Sequence, residues 1–173
     1  EVAQIPRCNM SEANGALMRI VPMALWAALT NKTEHETMEC AKADARLSHP
    51  NAVVQDCNAL YCVAMLHLLR HPGDHKGAVN SVSNSFTDIH PTVAQWLQDA
   101  LGTEDLGDAR INVGHVAHAF KMTFRFLAQG DVSFEDAIQQ TLMHGGDTDT
   151  NAAIVGGMMG ALHGKRGIPS YMW

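Results

Sequence analysis

Residues 145–153 read Gly-Gly-Asp-Thr-Asp-Thr-Asn-Ala-Ala and place the carboxylates of Asp147 and Asp149 and the hydroxyl of Thr150 within four positions. These are hard oxygen donors of the kind that magnesium and manganese take into octahedral arrays. The glycine pair in front of them lets the backbone fold closely enough to aim several oxygens at one point. A second explanation fits the same residues. Asp and Thr accept the unpaired N–H groups where a helix begins, and acids suit the positive end of its dipole. One cap serves one helix, however, and here two carboxylates and two threonines compete for the post.

Other residues invite chemistry less directly. Ser11, Glu12, Ala13, Asn14 and Gly15 offer backbone N–H groups at an expected helix start, where anions are favoured. Asn14 is equally a good helix cap. Arg19 either lends charge to a phosphate or pairs with an acid. His49 reads by itself as a capping or surface histidine ahead of a proline-started helix. His115, after Gly114, carries an imidazole able to hydrogen-bond a ligand, whereas His118 is expected to point elsewhere. Asp44, Asp56 and Asp88 read as single, solvated acids. The four cysteines, Cys8, Cys40, Cys57 and Cys62, contain no CxxC pair and read as reduced. His67 and His71 stand one helical turn apart without the Glu of a zinc-protease motif, which argues against zinc.

Helices must position these groups. Apolar residues recur at helical spacing from Asn14 to Leu29, interrupted by Pro22, where a kink or restart is expected. Thr33 to Glu36 is a capping-box pattern opening a helix to Leu47, and Pro50 both stops it and starts the next. From Asn51 to Leu69 the chain is apolar around most of the helical circumference, as a helix at the centre of a bundle should be. A loop at 71–76, helices to about Phe86 and from Pro91 to Leu101, and a polar loop over 102–112 follow. Further helices are expected from Gly114 to Ala128, from Ser133 to His144 and from Thr148 to Leu162. The last is rich in Gly and Ala, so neighbouring backbones can approach it closely. No run alternates long enough to form a strand. The fold class is therefore all-α.

With 173 residues, 46% of them hydrophobic, the chain is one domain's worth and carries a substantial core. A net charge of -6 argues against a nucleic-acid-binding surface. The longest uninterrupted apolar run falls short of the ~20 residues of a membrane span, and no signal segment opens the chain. No membrane partner is expected, and a cytoplasmic location is.

Four stretches carry a family resemblance that spans nearly the whole chain. Residues 145–164, GGDTDTNAAIVGGMMGALHG, resemble the C-terminal signature of the ADP-ribosylglycohydrolases. The stretch 14–25, NGALMRIVPMAL, resembles that family's Asn-Gly-x-x-Met-Arg element. Residues 48–61 and 114–120 resemble two further stretches, in the family's order. The resemblance implies a compact orthogonal bundle of the ADP-ribosylglycohydrolase type and hydrolysis of the glycosidic bond of ADP-ribose. The substrate would be an ADP-ribosylated protein or an ADP-ribose-containing small molecule, and the centre would hold two Mg2+ or Mn2+ ions. It makes Asp147, Asp149 and Thr150 metal ligands, with the two acids catalytic. Ser11 to Gly15 becomes the substrate loop, with His49, Gly114 and His115 near the ligand. It also implies an earlier Thr-Asp-Asp metal motif and, in several branches, an acid near the start. Neither is found here. Residues 1–173 are thus expected to form a single helical domain that is the C-terminal portion of a larger one, its site completed by an N-terminal segment or a companion chain. With the ligand set halved, a module that binds ADP-ribose or a nucleotide without cleaving it is the alternative, and a plain helical interaction domain is a third.

Overall fold

The capping box expected at Thr33 forms in full. The Thr33 hydroxyl accepts the Glu36 N–H at 3.1 Å, and the Glu36 carboxylate accepts the Thr33 N–H at 2.8 Å. This reciprocal pair starts α2 (Glu34–Arg46). In the computed structural model, which describes residues 8–85 and 89–172, eight α-helices follow one another: α1 (Val21–Leu29), α2, α3 (Ala52–Arg70), α4 (His75–Asn84), α5 (Pro91–Leu101), α6 (Val116–Gln129), α7 (Phe134–His144) and α8 (Thr148–Gly167). Among the described residues there is no strand, only an isolated bridge between Ala13 and His115. Pro6, Phe86 and Asp88 lie outside the described residues.

The mostly apolar helix is the axis of the bundle. α3 packs against α1, α2 and α4 and touches α5, α6 and α8, and most of its side chains are buried, from Val53 to Leu68. It has 19 residues, and an 18-residue window of it has a mean hydropathy of 1.4, enough in length and composition to cross a bilayer. Its uninterrupted apolar stretches are short, as the sequence reading has them, because Gln55, Asp56 and Asn58 divide the helix. A window 78% buried by its own neighbours identifies α3 as the centre of a folded core. The Tyr61 hydroxyl, wholly buried, donates to the Ile154 carbonyl at 2.8 Å and ties α3 to α8. Gly157 makes room for it, because a Cβ there would stand 2.7 Å from the Tyr61 oxygen.

Pro22 marks the restart expected of it, because the α-helix begins only at Val21 and not at Asn14. It occupies the first turn of α1, where its missing N–H has no partner to lose, and residues 14–20 form turns and a short 3-10 helix instead. Asp56 is not solvated. It is buried, paired with Lys42 at 2.9 Å, and accepts the His90 N–H at 2.7 Å, so it joins α2, α3 and the start of α5. At the surface, α1 leaves Leu25, Trp26 and Leu29 exposed, the last at 84%.

Candidate active site around Asp147

α8 begins differently from its neighbours. At the other polar N-caps, Thr33, Asn51, Asp74, His90, His115 and Ser133, the side chain accepts a backbone N–H of its own helix. At Asp147 it does not. Its carboxylate turns across the molecule, where Oδ2 accepts the Asn14 amide at 2.8 Å. That bond, with help from Thr150, holds the Asp147 carboxyl below the usual carboxylate range against the opposing effect of its partial burial. The capping explanation of Asp147 therefore fails, although its carbonyl still accepts the Asn151 N–H as a helix start requires.

Two left-handed glycines aim the turn. Gly145 and Gly146 have φ of +81° and +72°, a region that costs other residues energy. A Cβ on Gly146 would overlap the carbonyl of Ala109, with Ala109 C at 2.8 Å. The turn that presents Asp147 is thus seated directly on the backbone of the 102–115 loop.

The same loop meets the segment at 11–15. Asn14 N–H donates to Gly114 O and Val116 N–H to Glu12 O, each at 2.8 Å, forming the Ala13–His115 bridge. Gly114, at φ +82°, lies close to Asp147, whose Oδ2 would be 3.6 Å from a Cβ at that position. Beside the bridge opens a cleft of about 470 Å³ lined by Met10, Glu12, Ala13, Asn112, Val113, Gly114 and His115. His115 is the N-cap of α6. Its Nδ1 accepts the Ala117 N–H at 3.2 Å, so the proton of a neutral ring resides on Nε2, which donates to the Glu12 carboxylate at 2.9 Å. Trp96 meets this ring edge-on at 5.6 Å between centroids. His118 does point elsewhere, with Nε2 on the Ile111 carbonyl at 2.9 Å.

The structure brings Glu12, Ala13, Asn14, Gly114, His115 and Asp147 together. Ser11 stands at the edge of the group, its hydroxyl accepting the Ala13 N–H at 3.4 Å. Asp149 is exposed on the first turn of α8, accepting the adjoining Thr150 N–H at 2.9 Å. His49 is not a cleft-lining residue. It lies on Gly15, where a Cβ would come within 2.8 Å of its Cε1, and its Nδ1 contacts the Ser48 hydroxyl at 3.0 Å. Burial, with the nearby Arg19 charge, pushes its pKa down. Arg19 pairs with Asp44 at 2.7 Å and donates to the Asp44 carbonyl and Ser48. Of its two expected roles, the ion pair is the one formed.

The expectation that residues 11–15 start a helix is corrected, since the α-helix begins only at Val21. Asn14 does not cap a helix. Its N–H serves Gly114 and its side chain serves Asp147 and Asn151. Sequence reasoning missed Asn151, which is fully buried. The available signal was its position one helical turn after Asp147. Nothing in the sequence pointed to Ala109 or Trp96.

For a divalent cation the donors fit in kind but not in number. Asp147, Asp149 and Thr150 are hard oxygens on one turn, yet no group of three His, Cys, Asp or Glu suited to a metal occurs among the described residues.

With this geometry in place, comparison with known proteins is informative. The sequence model of the ADP-ribosylglycohydrolase family matches residues 2–173. The chain belongs to the ADP-ribosylglycohydrolase family. A protein of Acanthamoeba polyphaga mimivirus named as an ADP-ribosyl glycohydrolase is 26% identical to this family member over 167 residues, covering 88% of the chain and 50% of the viral protein. The chain thus spans about half the length of that relative. No solved structure matches it. The all-α bundle agrees with the family's fold.

Proposed function

We propose that this ADP-ribosylglycohydrolase family member supplies one side of a divalent-metal-dependent site that hydrolyses the glycosidic bond of ADP-ribose in an ADP-ribosylated protein or small molecule. The observation that carries the reading is the Asp147 carboxylate, which leaves the N-cap role of its own helix and faces the 11–15 segment. Cleavage at a ribose passes through an oxocarbenium-like state and needs an oriented sugar and an activated water. Asp147, Asp149 and Thr150 would hold Mg2+ or Mn2+. When bound, such an ion lowers the pKa of coordinated water and orients substrate oxygens. Glu12 and His115 line the adjoining cleft, where a carboxylate acceptor and an imidazole suit the hydroxyls of a ribose. Two carboxylates leave most positions of two octahedral ions unfilled, so further ligands come from outside this chain, from a larger domain of which residues 1–173 are part, or from a companion chain. A cytoplasmic setting accompanies the proposal.

A second reading rests on that same shortage of ligands: a module that binds ADP-ribose without cutting it. One experiment separates the two. The chain is titrated with Mn2+ and ADP-ribose while its thermal unfolding is followed, and release of ADP-ribose from an ADP-ribosylated protein is measured alongside. Hydrolysis requires Mn2+-dependent release that Asp147→Asn and Asp149→Ala both abolish. Stabilisation by ADP-ribose without release supports the binding module, and no response to either ligand sinks both.

A further inference from the structure

Two amides stand behind Asp147. Asn14 is 5% exposed and Asn151 wholly buried. The Asn14 amide nitrogen carries two protons in fixed, coplanar directions. It donates to Asp147 Oδ2 at 2.8 Å and reaches Asn151 Oδ1 at 3.3 Å. With one acceptor the amide can swing about that bond. With two it is fixed, and the carboxylate oxygen it engages is fixed with it. Asn151 lies one turn beyond Asp147 on α8, and its N–H donates to the Asp147 carbonyl at 2.9 Å. The relay is therefore anchored to the backbone that carries the acid.

Asn151 also bears a buried Nδ2 with no hydrogen-bond partner among the described residues. An unpaired donor taken out of water destabilises a fold, and an apolar side chain of similar volume avoids that cost. Packing alone thus gives no reason for an amide at this position, whereas its accepting oxygen does.

We infer that Asn151 is a positioning residue for the metal-binding carboxylate of Asp147, acting through Asn14 without touching the ion. Asn14 takes up Oδ2 and leaves Oδ1 to face a cation. The inference rests on the metal reading of Asp147, and the test distinguishes the failure of one from the failure of the other.

The 173-residue chain is titrated with Mn2+ alone, and the ion's paramagnetic broadening of the Asp147 and Asp149 backbone amide signals is followed by NMR for wild type, Asn14→Ala, Asn151→Leu and the double variant. Partners that orient a metal ligand contribute roughly 10- to 100-fold in affinity, so each single variant is expected to weaken Mn2+ binding by that order. The double variant should bind no more weakly than Asn14→Ala, because without Asn14 the influence of Asn151 has no route to Asp147. Urea unfolding of Asn151→Leu should show stability equal to or above that of wild type. Weaker metal binding in a fold that is no less stable cannot come from a merely structural role. Wild-type affinity in Asn151→Leu, or losses that multiply in the double variant, overturn the relay. Absence of broadening in wild type removes Asp147 and Asp149 as a cation site held by this chain itself, and the relay falls with it. If Asn151→Leu does not fold, Asn151→Thr carries the same comparison.

Discussion

Gly146→Ala measures how firmly the acid-bearing turn is seated. Residue 146 has a φ of +72°, and an alanine there costs about 1–2 kcal/mol for the left-handed backbone alone. Its Cβ would also overlap the Ala109 carbonyl, with the carbonyl carbon at 2.8 Å. Backbone cannot rotate away as a flexible side chain does, so either the 102–115 loop retreats or α8 shifts. Forced movements of this kind cost about 1–3 kcal/mol. The sum, about 2–5 kcal/mol, is a large part of an ordinary domain's stability of about 5–15 kcal/mol. Gly73→Ala provides the control: φ is +83°, yet nothing lies within 4 Å of the new methyl, so only the backbone cost of about 1–2 kcal/mol applies. Urea unfolding of both variants, read as the shift in midpoint at constant slope, isolates the steric part as their difference. Equal destabilisation of the two would refute the seating of the turn on Ala109.

Further outcomes follow from individual contacts. Asp149→Ala should leave stability within about 0.5 kcal/mol of wild type, since the side chain is exposed and accepts the adjoining Thr150 N–H, while Mn2+ broadening near residue 149 disappears; retained broadening would exclude it as a ligand. Glu36, held by the Thr33 N–H and by Lys32, titrates at about 2 in place of 4.5, so the stability it contributes is complete above 4.5 and is lost as pH falls towards 2. Glu36→Gln should therefore flatten that acid limb in pH-dependent urea unfolding. Burial and then Arg19 depress the His49 pKa, so the unfolded chain takes up the proton first and stability declines as pH falls below about 6.5. NMR titration should find the ring less than half protonated at 6.5, and Arg19→Gln should raise its midpoint yet leave it depressed, because burial is the larger cause.

Most of the helices were legible in the sequence because their signals are local. The Thr33 capping box and Gly130 at φ +71° after α6 each act within a few residues, and the apolar circumference of α3 needs no distant knowledge to mark it as central. Pro22 carried two local meanings, kink or restart, and the fold realises the restart. The site was legible in its residue types and hidden in its partners. Asn14 meets Asp147 across 133 positions of sequence, and the capping propensity of both residues predicts a local use that neither makes. Asp56 illustrates the same limit in the core: a lone acid in a helix looks solvated until Lys42 and the start of α5 close over it.

The bridge between Ala13 and His115 is made from main-chain atoms alone. Its geometry survives whatever side chains those positions carry, and the side chains of residues 12 and 115 project from it into the cleft. A scaffold of this kind permits its lining to be exchanged while its walls stay put. The lining of the cleft can accordingly be changed at residues 12 and 115 without remodelling the bundle.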